Sequence, residues 1–247
     1  MEDFSRLFLD LRIMGEAFGD LFREGLRNTL IVSVGAMALG LVGGLLLSLV
    51  TVSRRWWVRA PARVYIDLFR GLPAILTIVL VGIGLPSAGI RPFGRETWAY
   101  GILALGLVST AYVAEIFRAG IQSVDKGQME AARSVGMTYF SAMRLVVVPQ
   151  GIRRVLPPLT NEFVALVKDS SLIFVLGLSV GERELFRVGQ NVTQQYGNYS
   201  SLVLAGLFYV AITVPLAHLV NRMDRRLREG KRLAVHELPS VVGAVHL

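Results

Sequence analysis

The stretch KGQMEAARSVGMTYFSAMRLVVVPQGIRRVLPPL (126–159) runs directly into TNEFVALVKDSSLIFVLGLSV (160–180), and this pair decides the fold. The first half is polar and basic, with helical patches. The second is a membrane-length apolar run that holds Lys168, Asp169, Ser170 and Ser171 near its middle. A charge at the centre of a bilayer costs ~2.5–3.5 kcal/mol on insertion scales, so such residues face a bundle interior or a watery path rather than lipid. One half is built to meet water or a partner, and the other puts charge inside hydrocarbon. A chain that joins the two moves something across a membrane and is driven from one side.

Composition agrees. The 247 residues are 53% hydrophobic, and a mean hydropathy of +0.54 is high for a soluble domain. Several apolar runs approach the ~20 residues needed to cross ~30 Å of hydrocarbon. A spanning backbone must satisfy its own hydrogen bonds, so these runs read as helices. The net charge of +8 sits beside the apolar runs, which suits anionic lipid headgroups and topology control rather than nucleic acid. The absence of cysteine excludes disulfides, thiol catalysis and thiolate metal sites, and the three histidines (His218, His236, His246) are too scattered for a metal site. The phosphate-loop pattern GxxxxGK(S/T) is missing, because Gly230-Lys231 is followed by Arg232. No nucleophile is paired with a base, so no enzymatic activity is expected of this chain.

The pattern predicts an all-α membrane protein of about five spans. Residues 1–27 form an amphipathic lead-in with Phe4, Leu7, Phe8 and Leu11 at helical spacing, either an interfacial helix or an arm for a partner. The transmembrane domain covers 28–221. Span 1 (28–52) carries Gly40 and Gly44, a GxxxG pair that lets helices approach closely. Span 2 (62–85) contains Asp67 and Arg70, which can pair three apart on one helix face. Pro73 cannot donate to the carbonyl of Phe69, so a kink is expected there. Asp67 and Arg70 are either a self-neutralising pair at that kink or part of a pathway. Span 3 (98–117) closes on Glu115 and Arg118, again a candidate pair. A polar loop (119–158) follows, then span 4 (159–180) after Pro157 and Pro158, a polar segment (181–199), span 5 (202–221) and a basic tail (222–247). With five spans, all strongly basic regions fall on one side. The N-terminus is then outside and the C-terminus cytoplasmic.

Within the loop, 128–135 is rich in helix formers and Gly136 can end that helix in a left-handed cap. A second helix over 139–148 should stop at Pro149. Small Ala131 and Ala132, flanked by Glu130 and Arg133, fit either a helix offered to a cytoplasmic partner's groove or an ordinary solvated connection. In span 4, Glu162 and Asp169 are seven apart and share a face. Lys168 points about 100° away. Interrupted helices at mid-membrane bind the polar ends of substrates in many transporters. Glu162 and Asp169 suit an ammonium, Lys168 suits a carboxylate, and Ser170 adds a hydroxyl. The competing reading is an intersubunit salt-bridge network.

EAARSVGM (130–137) followed by VVVPQ (146–150) resembles the EAA signature of the membrane subunits of ABC importers. YIDLFRGLP (65–73), AYVAEIFRAGIQSVDKGQ (111–128) and LPPLTNEFVALVKDSSL (156–172) resemble the polar amino-acid permeases within that family. The likeness covers roughly 20–232. It departs at Leu72, where the family often has Thr, and in the apolar run 74–81, where many relatives carry Gln. The resemblance implies a permease of the bacterial inner membrane. Glu130, Ala131, Ala132, Arg133, Gly136 and Pro149 would form the coupling element that sits in a cleft of an ATPase subunit. It further implies two ATPase subunits that hold the ATP and magnesium, a second copy or a similar permease, and an extracytoplasmic solute-binding protein. No cofactor is implied for this chain itself. Asp67, Arg70, Glu162, Lys168, Asp169 and Ser170 are the pathway candidates. An ion-coupled transporter or channel with Lys168 and Asp169 as its ion site is the alternative, and a non-transporting scaffold a third reading; both leave the EAA-like loop unexplained.

Overall fold

Helix follows helix along the chain, and no strand occurs among the described residues. The computed structural model describes residues 2–51, 53 and 55–236, the side chains of 2, 3 and 226–236 excepted. The end of the expected basic tail, 237–247, lies outside the described residues.

The lead-in is α1 (Glu2–Phe8) and α2 (Leu11–Asp20), the latter capped by Asp10, whose carboxylate accepts from the amides of Arg12 and Ile13. A π-helical turn, Leu21–Gly25, joins α2 to α3 (Leu26–Thr51) without a break. The lead-in is docked rather than free. The Tyr199 amide donates to the Leu7 carbonyl at 2.8 Å, Asn198 donates to the Arg6 carbonyl, and the Asp10 amide donates to Ser200 Oγ. Ala17 and Leu21 are buried against Leu185, Val188 and Ala205.

Helix α4 (Trp56–Gly71) ends at the Leu72–Pro73 step, and α5 (Ala74–Val79) restarts beyond it. It continues through a second π-turn, Leu80–Gly84, into α6 (Leu85–Ser87). Leu72 and Pro73 are extended, and the two arms are bent by 107°. Pro73 therefore breaks the helix rather than kinking it, because its neighbour Leu72 is steered out of the helical region as well.

Helix α7 (Thr97–Gln122) packs along α3. The GxxxG expectation holds in detail: a Cβ on Gly40 would come 2.5 Å from Ser109 Oγ, and one on Gly44 2.7 Å from Val113 Cγ1. Only a bare backbone fits there. Val32 and Ala36 of α3, Ala104 and Leu105 of α7 and Ile78 of α5 form the centre of the core.

The loop folds as α8 (Lys126–Ser134), α9 (Tyr139–Ala142) and a third π-turn, Met143–Val147, which runs into α10 (Val148–Asp169). The expected stop at Pro149 does not occur, and Pro157 and Pro158 lie inside α10 rather than at its start. Pro149 stands in the first turn of α10, where a missing N–H costs little, and the wider π-turn before it makes room for the ring. After Asp169 the chain tightens to a 3₁₀ turn, Ser170–Leu176, and Gly177 closes it with φ +71°. The hydroxyls of Ser170 and Ser171 turn back onto the Val167 and Lys168 carbonyls, which competes with helix continuation. The segment 181–199, read as a polar connection, contains α11 (Leu185–Tyr196), and α12 (Ser200–His236) completes the fold.

Phe4–Thr51, Thr97–Gln122 and Ser200–Arg225 are each long and apolar enough to cross a membrane, and the bent pair Trp56–Gly71 with Ala74–Ser87 makes a fourth candidate. The expected span 159–180 is built of two pieces, the polar half of α10 and the 3₁₀ turn.

Candidate functional site

The second half of α10 carries the charges. Glu162 and Asp169 both line a cavity of about 260 Å³, shared with Leu72 and Ala74 at the broken helix and with Val108 and Tyr112 of α7. The break at Pro73 thus brings the tip of α5 to the carboxylates. The two acidic residues face the same cavity, as a spacing of seven allows. Lys168 is exposed and stands outside this lining. Ser170 is fully buried, and its hydroxyl donates to the Val167 carbonyl at 2.8 Å, so it too stands apart from the cavity.

A second cavity, of about 280 Å³, is lined by Arg63, Asp67 and Arg70 of α4, Glu115 and Arg118 of α7, and Thr51. Arg118 and Glu115 form the expected pair at 2.5 Å, and Arg118 also donates to Gln122. Asp67 and Arg70 do not pair with each other, whereas Arg12–Glu16, Glu115–Arg118 and Glu24–Arg183 are ion pairs. Arg70 instead lies over the ring of Tyr112, 5.5 Å from its centroid. Tyr112 lines the first cavity and Arg70 the second, so this contact stands between a carboxylate-lined space and a guanidinium-lined one.

At the other end of α10 lies the hairpin. Asp125 caps α8 by accepting from the Gly127 amide at 2.7 Å. Gly136 has φ +89°, and the Met137 amide closes the turn on the Ala132 carbonyl, a Schellman-type stop. Glu130, Ala131, Arg133, Gly136 and Pro149 are exposed, whereas Ala132 faces inward and is buried. Val135, Tyr139 and Phe140 are strongly exposed around the turn. An apolar tip rimmed by charges is what a docking element presents.

One site was not legible in advance. Glu184 is fully buried and caps α11, accepting from the amides of Phe186 at 2.5 Å and Arg187 at 2.8 Å and from the Tyr209 hydroxyl at 3.0 Å. Burial pushes its carboxyl up to about 7, against the opposing pull of those donors. Beside it Glu24 pairs with Arg183 at 3.0 Å and accepts from the Gly181 amide, and Asn28 donates to the Gly181 and Arg183 carbonyls. The sequence signal was a polar cluster, GERE (181–184), directly before the apolar face of α11.

Residues 38–229 match the family described as binding-protein-dependent transport system inner membrane component. The chain belongs to that family. This permease is 35% identical over 209 residues to the probable glutamine ABC transporter permease protein GlnM of Bacillus subtilis (strain 168), covering 85% of this chain and 94% of the relative. It is 33% identical over 211 residues to the glutamine transport system permease protein GlnP of Escherichia coli (strain K12), covering 84% and 93%. A crystal structure described as an amino acid ABC transporter with histidines superposes with a TM-score of 0.78 at 35% identity, covering 88% of this permease and 99% of that chain. The inward-facing MetNI methionine ABC transporter shares the fold, with a TM-score of 0.59 at 23% identity. The permease is thus a membrane-embedded transport component of an ABC importer family, whose members work with ATPase and binding-protein partners.

Proposed function

We propose that this permease imports polar amino acids, with Glu162 and Asp169 holding the substrate's cationic end in the cavity that Tyr112, Leu72 and Ala74 complete. The observation that carries the reading is that one helix, α10, bears both carboxylates at one end and the exposed hairpin at the other. In this reading α8, with Glu130, Ala131, Arg133 and Gly136, docks into an ATPase subunit. Pro149 and the inward-facing Ala132 hold the shape of that element. Two such subunits bind and hydrolyse ATP with magnesium, and this chain supplies no catalytic group. A second permease completes the path. A solute-binding protein delivers substrate to the outer side, near 86–97 and 181–199. Arginines at 55, 59 and 63 and in the loop lie on the cytoplasmic side in this reading, the N-terminus outside and the C-terminus inside the bacterial inner membrane. The names of the relatives, which carry glutamine and arginine among others, support the substrate class.

The test is uptake and ATP hydrolysis by the complete complex in liposomes, with polar amino acids offered on the loaded binding protein. Hydrolysis that rises with loaded binding protein, and uptake that stops without ATP, is the expected result. Uptake that follows an ion gradient without ATP sinks this reading in favour of an ion site at Lys168 and Asp169.

A further inference from the structure

The cytoplasmic end of α10 is fastened at two places that the transport reading above does not use. Arg154 donates through Nη1 to the carbonyl of Ser123, the residue that caps α7, and to Ser123 Oγ at 3.2 Å. Gln150 Nε2 donates to Gln128 Oε1 of α8 at 3.1 Å. The last carbonyls of a helix lack partners within it, and a cation placed there also complements the helix dipole. Arg154 therefore makes a directed bond between α10 and the end of α7, at the solvent-facing rim of the crossing.

These bonds flank a tight crossing. A Cβ on Gly120 of α7 would overlap Val155 Cγ1 of α10, and one on Gly151 would touch the Gly120 carbonyl oxygen at 3.7 Å. The two helices meet there almost backbone to backbone, with α8 on one side of the crossing and the cavity carboxylates on the other. Helix α10 continues unbroken from Val148 to Asp169. At about 1.5 Å per residue, Glu162 lies on the order of 12 Å beyond Arg154 along the same helix, which runs on through Pro157 and Pro158.

We propose that Gln150 and Arg154 are positioning residues for energy coupling: they bind α10 to α8 and to the end of α7 around the Gly120–Gly151 crossing, so that a push on α8 moves the helix carrying Glu162 and Asp169 as one lever. The proposal rests on the importer reading above. It differs from a simple docking role for α8, because neither residue lies on the exposed tip.

The experiment uses the complete complex in liposomes, with Arg154→Gln, Arg154→Lys and Gln150→Leu beside wild type. Four quantities are read: retention of the ATPase subunits, equilibrium binding of a polar amino acid, basal hydrolysis, and hydrolysis stimulated by loaded binding protein. For Arg154→Gln and Gln150→Leu, ATPase retention, amino-acid affinity and basal hydrolysis are expected to stay near wild type. Stimulation is expected to fall about tenfold in Arg154→Gln, the scale of one lost charge-assisted hydrogen bond, and less in Gln150→Leu. Arg154→Lys keeps a cationic donor and is expected to restore part of it. The chain has no cysteine, so a Gln128→Cys/Gln150→Cys pair can be crosslinked without competing thiols in this subunit. A latch that stays closed through the cycle predicts that the oxidised pair keeps its stimulation. Unchanged stimulation in both Arg154→Gln and Gln150→Leu overturns the proposal, as does loss of the ATPase subunits or of amino-acid binding together with stimulation. Arrest by the crosslink overturns it too. A wild-type complex without stimulated hydrolysis overturns the importer reading and the lever with it, a result distinct from failure of the variants alone.

Discussion

Glu162 and Asp169 stand two turns apart on α10 and line the same cavity, while Lys168, the neighbour of Asp169, is exposed outside it. In the proposed function the two carboxylates share one substrate. Glu162→Gln and Asp169→Asn each remove one charge-assisted contact, worth ~1.5–3 kcal/mol, which converts to about 10- to 100-fold weaker apparent affinity. Lys168→Met is the control and is expected to lose less than either. The measurement is the amino-acid concentration that half-saturates uptake in liposomes; equal losses for all three variants would put the binding site elsewhere.

The sequence was informative wherever a local rule had no competitor. Gly136, the only residue type that adopts φ +89° without strain, marked the end of α8, and Gly40 with Gly44 marked the α3–α7 contact. Pro73 announced a kink, and the structure has a full break of 107° there, an angle that depends on how α5 packs against α7. The expected stop at Pro149 failed because that residue falls in the first turn of α10, and the expected start at Pro157 and Pro158 failed because α10 already runs through them, packed against α7 and α12. Asp67 and Arg70 had the spacing of a pair, yet Tyr112, forty-two residues on, offers Arg70 its ring instead. Contacts of that range leave no trace in the spacing. The docking of α1 on the Asn198–Ser200 turn was hidden for the same reason. The cavity face was legible because a period of seven fixes it; the partners across the cavity were not.

Gly136→Ala tests the cap. Nothing lies within 4 Å of an added Cβ, so the penalty is backbone strain alone, about 1–2 kcal/mol for a left-handed residue. The variant is expected to reach the membrane folded but to retain less ATPase partner on co-purification, since the strain is relieved by unwinding the end of α8. Full retention with full stimulated hydrolysis would show that the shape of this turn is immaterial to docking.

Gly44→Val and Gly71→Ala should move stability in opposite directions. A Cβ at Gly44 would stand 2.7 Å from Val113 Cγ1 and 2.9 Å from the Ala114 amide nitrogen, so α3 and α7 must separate. Overpacking of this kind costs about 1–3 kcal/mol. Gly71 is helical with nothing within 4 Å of its Cβ position, so alanine there gains about 0.5–1 kcal/mol from the unfolded chain. Thermal unfolding in detergent reads both; a lowered midpoint for Gly71→Ala would mean that the bend needs its flexibility.

Glu184 is expected to make the stability of the helices around it pH-dependent. It lies between the 3₁₀ turn and α11, outside the spans, with its carboxyl pushed up to about 7 chiefly by burial. In the unfolded chain the same group titrates near ~4.3. Between those values the folded state holds a proton that the unfolded state has lost, so stability falls as pH rises through that window and levels off above about 7. The loss amounts to at most a few kcal/mol. Glu184→Gln cannot titrate and, like the protonated acid, keeps one carbonyl oxygen, enough for one of the Phe186 and Arg187 amides that now reach separate oxygens. Midpoints of thermal unfolding for the two proteins should therefore converge near pH 4–5 and diverge toward pH 8, with the glutamine variant the more stable there. Because every other titrating group is common to both, parallel curves across this range would show that Glu184 carries its charge at no cost, and that Tyr209 and the two amides compensate fully for its burial.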